Sequence, residues 1–267
     1  MATHLDSDVV RYLNRIRFDG PLSGDLATLT ALQLAHLQAV PFEALDVFAG
    51  RPVSADNNWA WGKVVERARG GWCFEANGAF AQLLDKLGFA VTRLGAAVLL
   101  GGPNVLIDHL VLEVMLDQPY LVEVGFGDQA PITPLPLHQR GPIETRAGTF
   151  EFLASPQGTT LAQHVDGVPE ARYRFKRVAH ELSEFESASQ RLSLDRSLHW
   201  STSPFATRLI DADGTRITLS RRGFKTQRAG ETERVPVAAH EWNDVLRDNF
   251  GIAESFTPAD LARGENI

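Results

Sequence analysis

The hydrophobic pattern changes period near residue 89, and that change limits the chain to a mixed fold with helices and strands in separate layers. Before it, apolar residues recur at helical spacing. Asp6-Ser7-Asp8 offers a cap, and Val9, Tyr12, Leu13 and Ile16 make one face. A second helix is expected from near Asp25 to just before Pro41. A third contains Val64 and Val65 and leads to Arg69. A fourth starts at Cys73: Phe80, Leu83, Leu84 and Leu87 follow at helical spacing, and Gly88 marks its end. After it, runs rich in Val and Leu predict strands over 90–100, 105–116 and 120–126, with shorter strands across 148–180. A loop rich in Pro and Gly, 130–142, separates them. Residues 181–201 are polar and helix-compatible. Further strands are expected over 207–210 and 216–220, then a helix beginning near His240 with Val245, Leu246 and Phe250. The expected class is α+β. Its units are a helical bundle over 1–89, a β-rich unit over 90–180, a helical connector over 181–203 and a small α/β unit over 204–267.

A chain of 267 residues is long enough for one large domain or two to three small ones. With 44% hydrophobic and 22% charged residues it has the composition of a soluble globular protein. The net charge of −7 argues against general nucleic-acid binding, which needs a basic surface. The longest apolar run, around 96–100, is strand-sized, so no membrane span is expected. Met-Ala-Thr-His-Leu-Asp lacks the basic and apolar regions of a secretory signal. A single cysteine suits a reducing compartment, and the expected location is cytoplasmic. The sequence carries no signal for oligomeric state.

That single cysteine, Cys73, cannot form an internal disulfide or supply a Cys-rich zinc site. It is either core filler or a reactive thiol. Gly70 and Gly71 let the backbone bend just before it. The expected helix then places Cys73 at a helix N-terminus, where unpaired N–H groups and the positive dipole end favour a thiolate.

The surrounding residues, Arg69-Gly70-Gly71-Trp72-Cys73-Phe74-Glu75-Ala76-Asn77-Gly78-Ala79-Phe80, resemble the active-site signature of the arylamine N-acetyltransferases. Val40-Pro41-Phe42-Glu43-Ala44-Leu45-Asp46 resembles that family's Pro-Phe-Glu-Asn-Leu segment. Val122-Glu123-Val124-Gly125-Phe126-Gly127 resembles its Val-Asp-Val-Gly-Phe-Gly segment, and Ser203-Pro204-Phe205 its entry to the last domain. The resemblance runs from about residue 5 to about residue 255. It implies a helical bundle, a β-barrel and an α/β lid, with a cysteine-protease-like triad at the junction of the first two.

The resemblance also implies a function: transfer of acetyl from acetyl-CoA to a small aromatic amine or hydrazine through an acetyl-cysteine. Acetyl-CoA is then a co-substrate, with no permanently bound cofactor and no metal. Cys73 is the nucleophile, His109 the base, and Glu123 stands where the family carries Asp. Gly125 and Phe126 would line the acceptor and pantetheine pocket, with Phe205 approaching from the lid. Glu43 and Arg69 would pair and hold the Cys73 turn, and Ala44 replaces the family's Asn. By pattern alone, His109 in its apolar run is a core residue as readily as a catalyst, and Asp108 and Asp128 are other carboxylates near it.

The Glu123 assignment makes a geometric demand. If the connection across Asp117 has an odd number of residues, three for instance, His109 and Glu123 share a face as opposite or diagonal neighbours. A two-residue turn would separate them. The basic residues Arg221, Arg222, Lys225 and Arg228 suit either coenzyme A phosphates or a solvated hairpin face. There is no Walker loop, Rossmann fingerprint or metal-ligand spacing. The competing readings are an amide synthase acting on a carrier-bound acyl chain, a thioester hydrolase, and a non-catalytic binding protein on the same fold.

Overall fold

The computed structural model describes residues 6–228 and 230–256. The last eleven residues of the expected 204–267 unit and the first five of the 1–89 unit lie outside the described residues.

Five helices come first: α1 Ser7–Arg15, α2 Leu26–Ala39, α3 Leu45–Ala49, α4 Asn57–Trp61 and α5 Cys73–Lys86. Their starts follow the capping residues. The Asp6 side chain accepts from the Asp8 N–H, Asp25 from Thr28, and Asp56 from Asn58 and Trp59. The expected third helix is split. α4 is regular, and Val64 and Val65 lie in the π-helical turn Gly62–Glu66 that continues it. Gly88, with φ +86°, stops the chain just after α5.

An eight-stranded antiparallel sheet, nearly closed and barrel-like, follows in the order β5-β4-β3-β2-β9-β8-β7-β6. Its strands are β2 Ala90–Val98, β3 His109–Met115, β4 Pro119–Val122, β5 Leu135–Pro136, β6 Ile143–Thr145, β7 Gly148–Ser155, β8 Gly158–Val165 and β9 Val168–Ala179. Two helices, α6 Glu186–Leu194 and α7 His199–Thr202, lead to a five-stranded sheet. That sheet runs β1-β10-β11-β12-β13, with β1 Phe42–Glu43, β10 Phe205–Leu209, β11 Arg216–Ser220, β12 Gly223–Arg228 and β13 Glu231–Val235. The helix α8 Trp242–Phe250 closes one of its faces with Ala206, Ile217, Leu219, Leu246 and Phe250.

Three expectations are corrected. The first ninety residues are not all helical. Phe42–Glu43 form a short strand, β1, that pairs antiparallel with β10. Pro41 ends helical geometry and leaves an extended pair that the distant sheet edge takes up. The strand expected over 105–116 begins only at His109. Asp108 spends its carboxylate on the Val98 N–H at 2.8 Å and on Asn104 Nδ2 at 2.6 Å. These bonds fold 99–108 into a loop that leaves Val105 85% exposed. The strand expected over 120–126 ends at Val122. There the Glu123 carboxylate captures the Gly125 N–H at 2.7 Å, which takes that group out of any ladder.

Candidate active site

Cys73 is the first residue of α5, and two contacts fix the turn before it. Glu43 N–H donates to the Gly71 carbonyl at 3.0 Å, and Gly71 N–H to the Pro41 carbonyl at 3.2 Å. A Cβ on residue 70 would stand 2.1 Å from the Pro41 carbonyl oxygen, so only glycine lets these segments meet. The Glu75 carboxylate accepts the Trp72 N–H at 3.3 Å and the Trp59 indole N–H at 2.8 Å.

Beneath the turn lies a cluster of buried charges. Arg69 Nη2 meets Glu43 Oε1 at 2.7 Å and also pairs with Asp46 and Glu254. Lys63 Nζ meets Asp46 and Glu75, both at 2.8 Å. Burial disfavours the charge on Lys63, but Glu75, Glu43 and Asp46 outweigh it and raise its pKa above the ordinary lysine value. The cluster joins β1, α3, the π-helical turn after α4, α5 and the segment after α8 around the Cys73 turn. Its function is therefore mechanical. Removing one partner leaves the rest buried and uncompensated, so Arg69→Ala is expected to lose about 3–5 kcal/mol of stability in denaturant unfolding. A variant unfolding within about 0.5 kcal/mol of wild type would contradict this account.

His109 opens β3 and Glu123 follows β4. Met115 pairs with Pro119 and Leu112 with Val122, so the connection is the three-residue stretch 116–118. Counting outward from Leu112 and Val122 sets Glu123 opposite Val111 and diagonal to His109, on the same face. His109 Nε2 and Glu123 Oε2 are 2.7 Å apart, and both side chains are buried. Burial alone would lower the His109 pKa. The Glu123 charge, with contacts to Cys73 and Glu123, overrides it and raises the value to about 10. Nε2 being engaged by Glu123, Nδ1 is the nitrogen left for Cys73. Asp108 and Asp128 make no hydrogen bond to His109. Asp108 is held by Val98 and Asn104, and Asp128 by Lys225 at 3.2 Å.

Cys73 and His109 open onto a cavity of about 510 Å³. Gly125, Phe126 and Phe205 line it, with Phe42, Trp72, His199 and Trp200. Gly125 also presses on the Cys73 segment: a Cβ there would lie 2.8 Å from Cys73 Cα and from Asn77 Nδ2. The Phe126 ring centroid is 4.8 Å from that of His109. Phe205 lies 5.7 Å from Phe42 and from His199, stacked on the latter. Of the basic residues singled out in the sequence, only Arg222 and Lys225 line the cavity. Arg221 instead lies over Phe48, and Arg228 bonds Thr215.

Two residues with no role assigned from sequence belong to the site. Asn77, four residues along α5 from Cys73, donates to Glu123 Oε1 and to the Leu110 carbonyl, both at 2.7 Å. It accepts the Val124 N–H at 3.0 Å. The i,i+4 spacing puts it on the Cys73 face of the helix, and that was the available signal. Gln33 on α2 donates to the carbonyls of Glu123 at 3.0 Å and Pro131 at 3.1 Å. Nothing in the sequence near Gln33 marks it. Among the described residues no group of three or more His, Cys, Asp or Glu is placed to hold a metal ion, and no helix is long and apolar enough to cross a membrane.

Comparison with known proteins agrees along nearly the whole chain. The N-acetyltransferase family model matches residues 25–256. An arylamine N-acetyltransferase of Mycolicibacterium smegmatis is 35% identical over 257 residues, covering 92% of each chain. That of Escherichia coli (strain K12) is 30% identical, covering 94% of this chain and 92% of its own. The solved structure of Mycobacterium marinum arylamine N-acetyltransferase in complex with CoA superposes with a TM-score of 0.84 at 31% identity, covering 92% of this chain and 93% of that one.

Proposed function

From the premise that this chain belongs to the arylamine N-acetyltransferase family, we propose that it moves acetyl from acetyl-CoA to an aromatic amine or hydrazine through an acetyl-cysteine at Cys73. The observation that carries the reading is one constellation. A helix-start cysteine faces an imidazole whose far nitrogen is held by a buried carboxylate at 2.7 Å, in a cavity walled by aromatic rings. The carboxylate fixes the tautomer and stabilises the imidazolium, and a Glu serves here as well as an Asp. The relatives' names support an arylamine acceptor and an acetyl group, and the M. marinum complex supports coenzyme A as the donor's carrier.

The steps follow from these groups. The Cys73 thiolate attacks the thioester carbonyl carbon. The carbon–sulfur bond to coenzyme A breaks, and the leaving thiolate takes the His109 proton. The amine then attacks the acetyl-cysteine, its proton passes to His109, and the Cys73 thiolate leaves. N–H groups in the first turn of α5 serve as oxyanion donors. The aromatic lining, Phe126 and Phe205 among it, grips a flat acceptor. In this reading the parts are a helical unit over 1–89, a barrel over 90–180, a connector over 181–203 and a lid over 204–267. The cytoplasm is the proposed location.

The test is turnover of acetyl-CoA against a panel of arylamines and hydrazines. Double-reciprocal plots at several acceptor concentrations should be parallel, since coenzyme A leaves before the acceptor reacts. Intersecting lines would mean direct transfer. Equal thioester loss with and without amine would mean a hydrolase.

A further inference from the structure

A second cavity, of about 530 Å³, lies among the end of α1, the second half of α2, β10 and the end of α8. None of its lining residues lines the Cys73 cavity. Arg15, Arg17, Arg208 and Arg247 line it, against one carboxylate, Asp248. That is a concentration of cations in a chain whose net charge is −7.

Carboxylates neutralise only one of the four. Arg247 Nη2 meets Asp244 at 2.6 Å, and its Nε meets Asp248 at 3.2 Å. Arg15, Arg17 and Arg208 have no carboxylate partner among the described residues. Arg15 donates to backbone carbonyls: Ala39 at 2.9 Å, Val64 at 3.0 Å, Ala68 at 3.1 Å and Arg69 at 3.2 Å. Arg208 donates from Nη1 to the Gln38 carbonyl at 2.6 Å and from Nη2 to the Asn249 carbonyl at 2.7 Å. Its Nε–H is buried with no acceptor among the described residues. Carbonyls satisfy donors but leave the charges unbalanced. Burial, and after it the Arg17 charge, holds Arg208 below the ordinary arginine pKa.

Arg17 supplies a second, independent observation. It follows the end of α1 with φ +55°. Its N–H donates to the Asn14 carbonyl at 3.1 Å, and the Phe18 N–H donates to the Leu13 carbonyl at 2.9 Å. Glycine or asparagine is favoured at such a helix end. An arginine there accepts backbone strain and sets an exposed guanidinium, with no partner among the described residues, on the cavity.

We propose that this cavity binds a phosphate-bearing small molecule at a site separate from that of acetyl transfer. Guanidinium forks match phosphate oxygens in pairs. A phosphate monoester carries a charge of about −1.5 to −2 near neutral pH, where a carboxylate brings a single charge to three unbalanced cations. Ile16, Ile210 and Phe250 line the remaining wall and offer apolar surface to the body that carries the phosphate.

The test is calorimetric titration of the full chain with AMP and with inorganic phosphate, at constant ionic strength. The proteins are wild type, Arg17→Gly, Arg208→Gln and Lys225→Gln. Wild type should bind, and Arg17→Gly and Arg208→Gln should each weaken binding by about tenfold or more. Lys225→Gln should bind as wild type does, because Lys225 belongs to the Cys73 cavity. Arg17→Gly should melt at or above the wild-type Tm, since glycine suits φ +55°, and this separates lost binding from lost folding. Tighter binding of AMP assigns the site to an organic phosphate, and equal binding assigns it to free phosphate; both support it. Should Arg208→Gln fail to fold, Arg17→Gly decides alone. The proposal is overturned if wild type binds neither probe at millimolar concentration, if Arg17→Gly binds as tightly as wild type, or if Lys225→Gln alone abolishes binding.

Discussion

Glu123→Gln is expected to fold normally and to lose acetylation rate by about 10²- to 10⁴-fold. The amide oxygen can still accept from Asn77 and Gly125, which hold Oε1 in the native site. The amide NH₂ then faces His109 Nε2, where Glu123 Oε2 lies at 2.7 Å. An NH₂ donor there forces Nε2 to accept, so the proton sits on the Cys73 side of a neutral ring. That ring can neither take the thiol proton through Nδ1 nor gain the charge stabilisation that raises the His109 pKa to about 10. Glu123→Asp should fall between wild type and Gln. Its shorter carboxylate cannot reach His109 while keeping both Asn77 and Gly125. Near-normal acetylation by Glu123→Gln, with unchanged melting, would remove Glu123 from the mechanism. Asp108 and Asp128 would not be ready substitutes, since both are engaged elsewhere.

The features that could be read in advance are those set by short-range rules. Asp6, Asp25 and Gly88 mark helix ends through bonds and φ values local to each terminus. Cys73 begins its helix because Gly70 and Gly71 permit the close turn and Glu75 accepts from the residue before it. Hairpin parity is also local, but the sequence left the length of the connection open, and the pairing decides it. A three-residue connection needs only Met115 and Pro119 to pair, and it decides which face Glu123 takes.

What the sequence concealed depends on long-range or competing contacts. The apolar Val105-Leu106-Ile107 reads as strand, but the Asp108 carboxylate holds this stretch in a loop. β1 pairs with β10 across more than 160 positions, with only two residues of pattern to announce it. The buried charge cluster draws Glu254 to Arg69 from the far end of the chain. Gln33 gains meaning only when α2 is packed against the site. A polar residue among apolar ones carries no label saying which buried group it will meet.

The second large effect concerns the nucleophile itself. Cys73→Ala removes the only thiol in the chain, so no thioester can form and acceptor turnover should fall to background. Cys73→Ser keeps the shape, but its hydroxyl is a far weaker nucleophile without ionisation, and it should also be inactive on the assay timescale. Both should fold, since Cys73 lines the cavity and neither replacement is larger than the cysteine.

The central claim is best tested by intact-protein mass spectrometry after brief incubation with acetyl-CoA and no acceptor. The account predicts one added acetyl group that maps to Cys73. It should be absent in Cys73→Ala and Cys73→Ser, and it should discharge when an arylamine or hydrazine is added. An unmodified wild-type mass while acetyl transfer proceeds, or an adduct that persists in Cys73→Ala, would contradict the account.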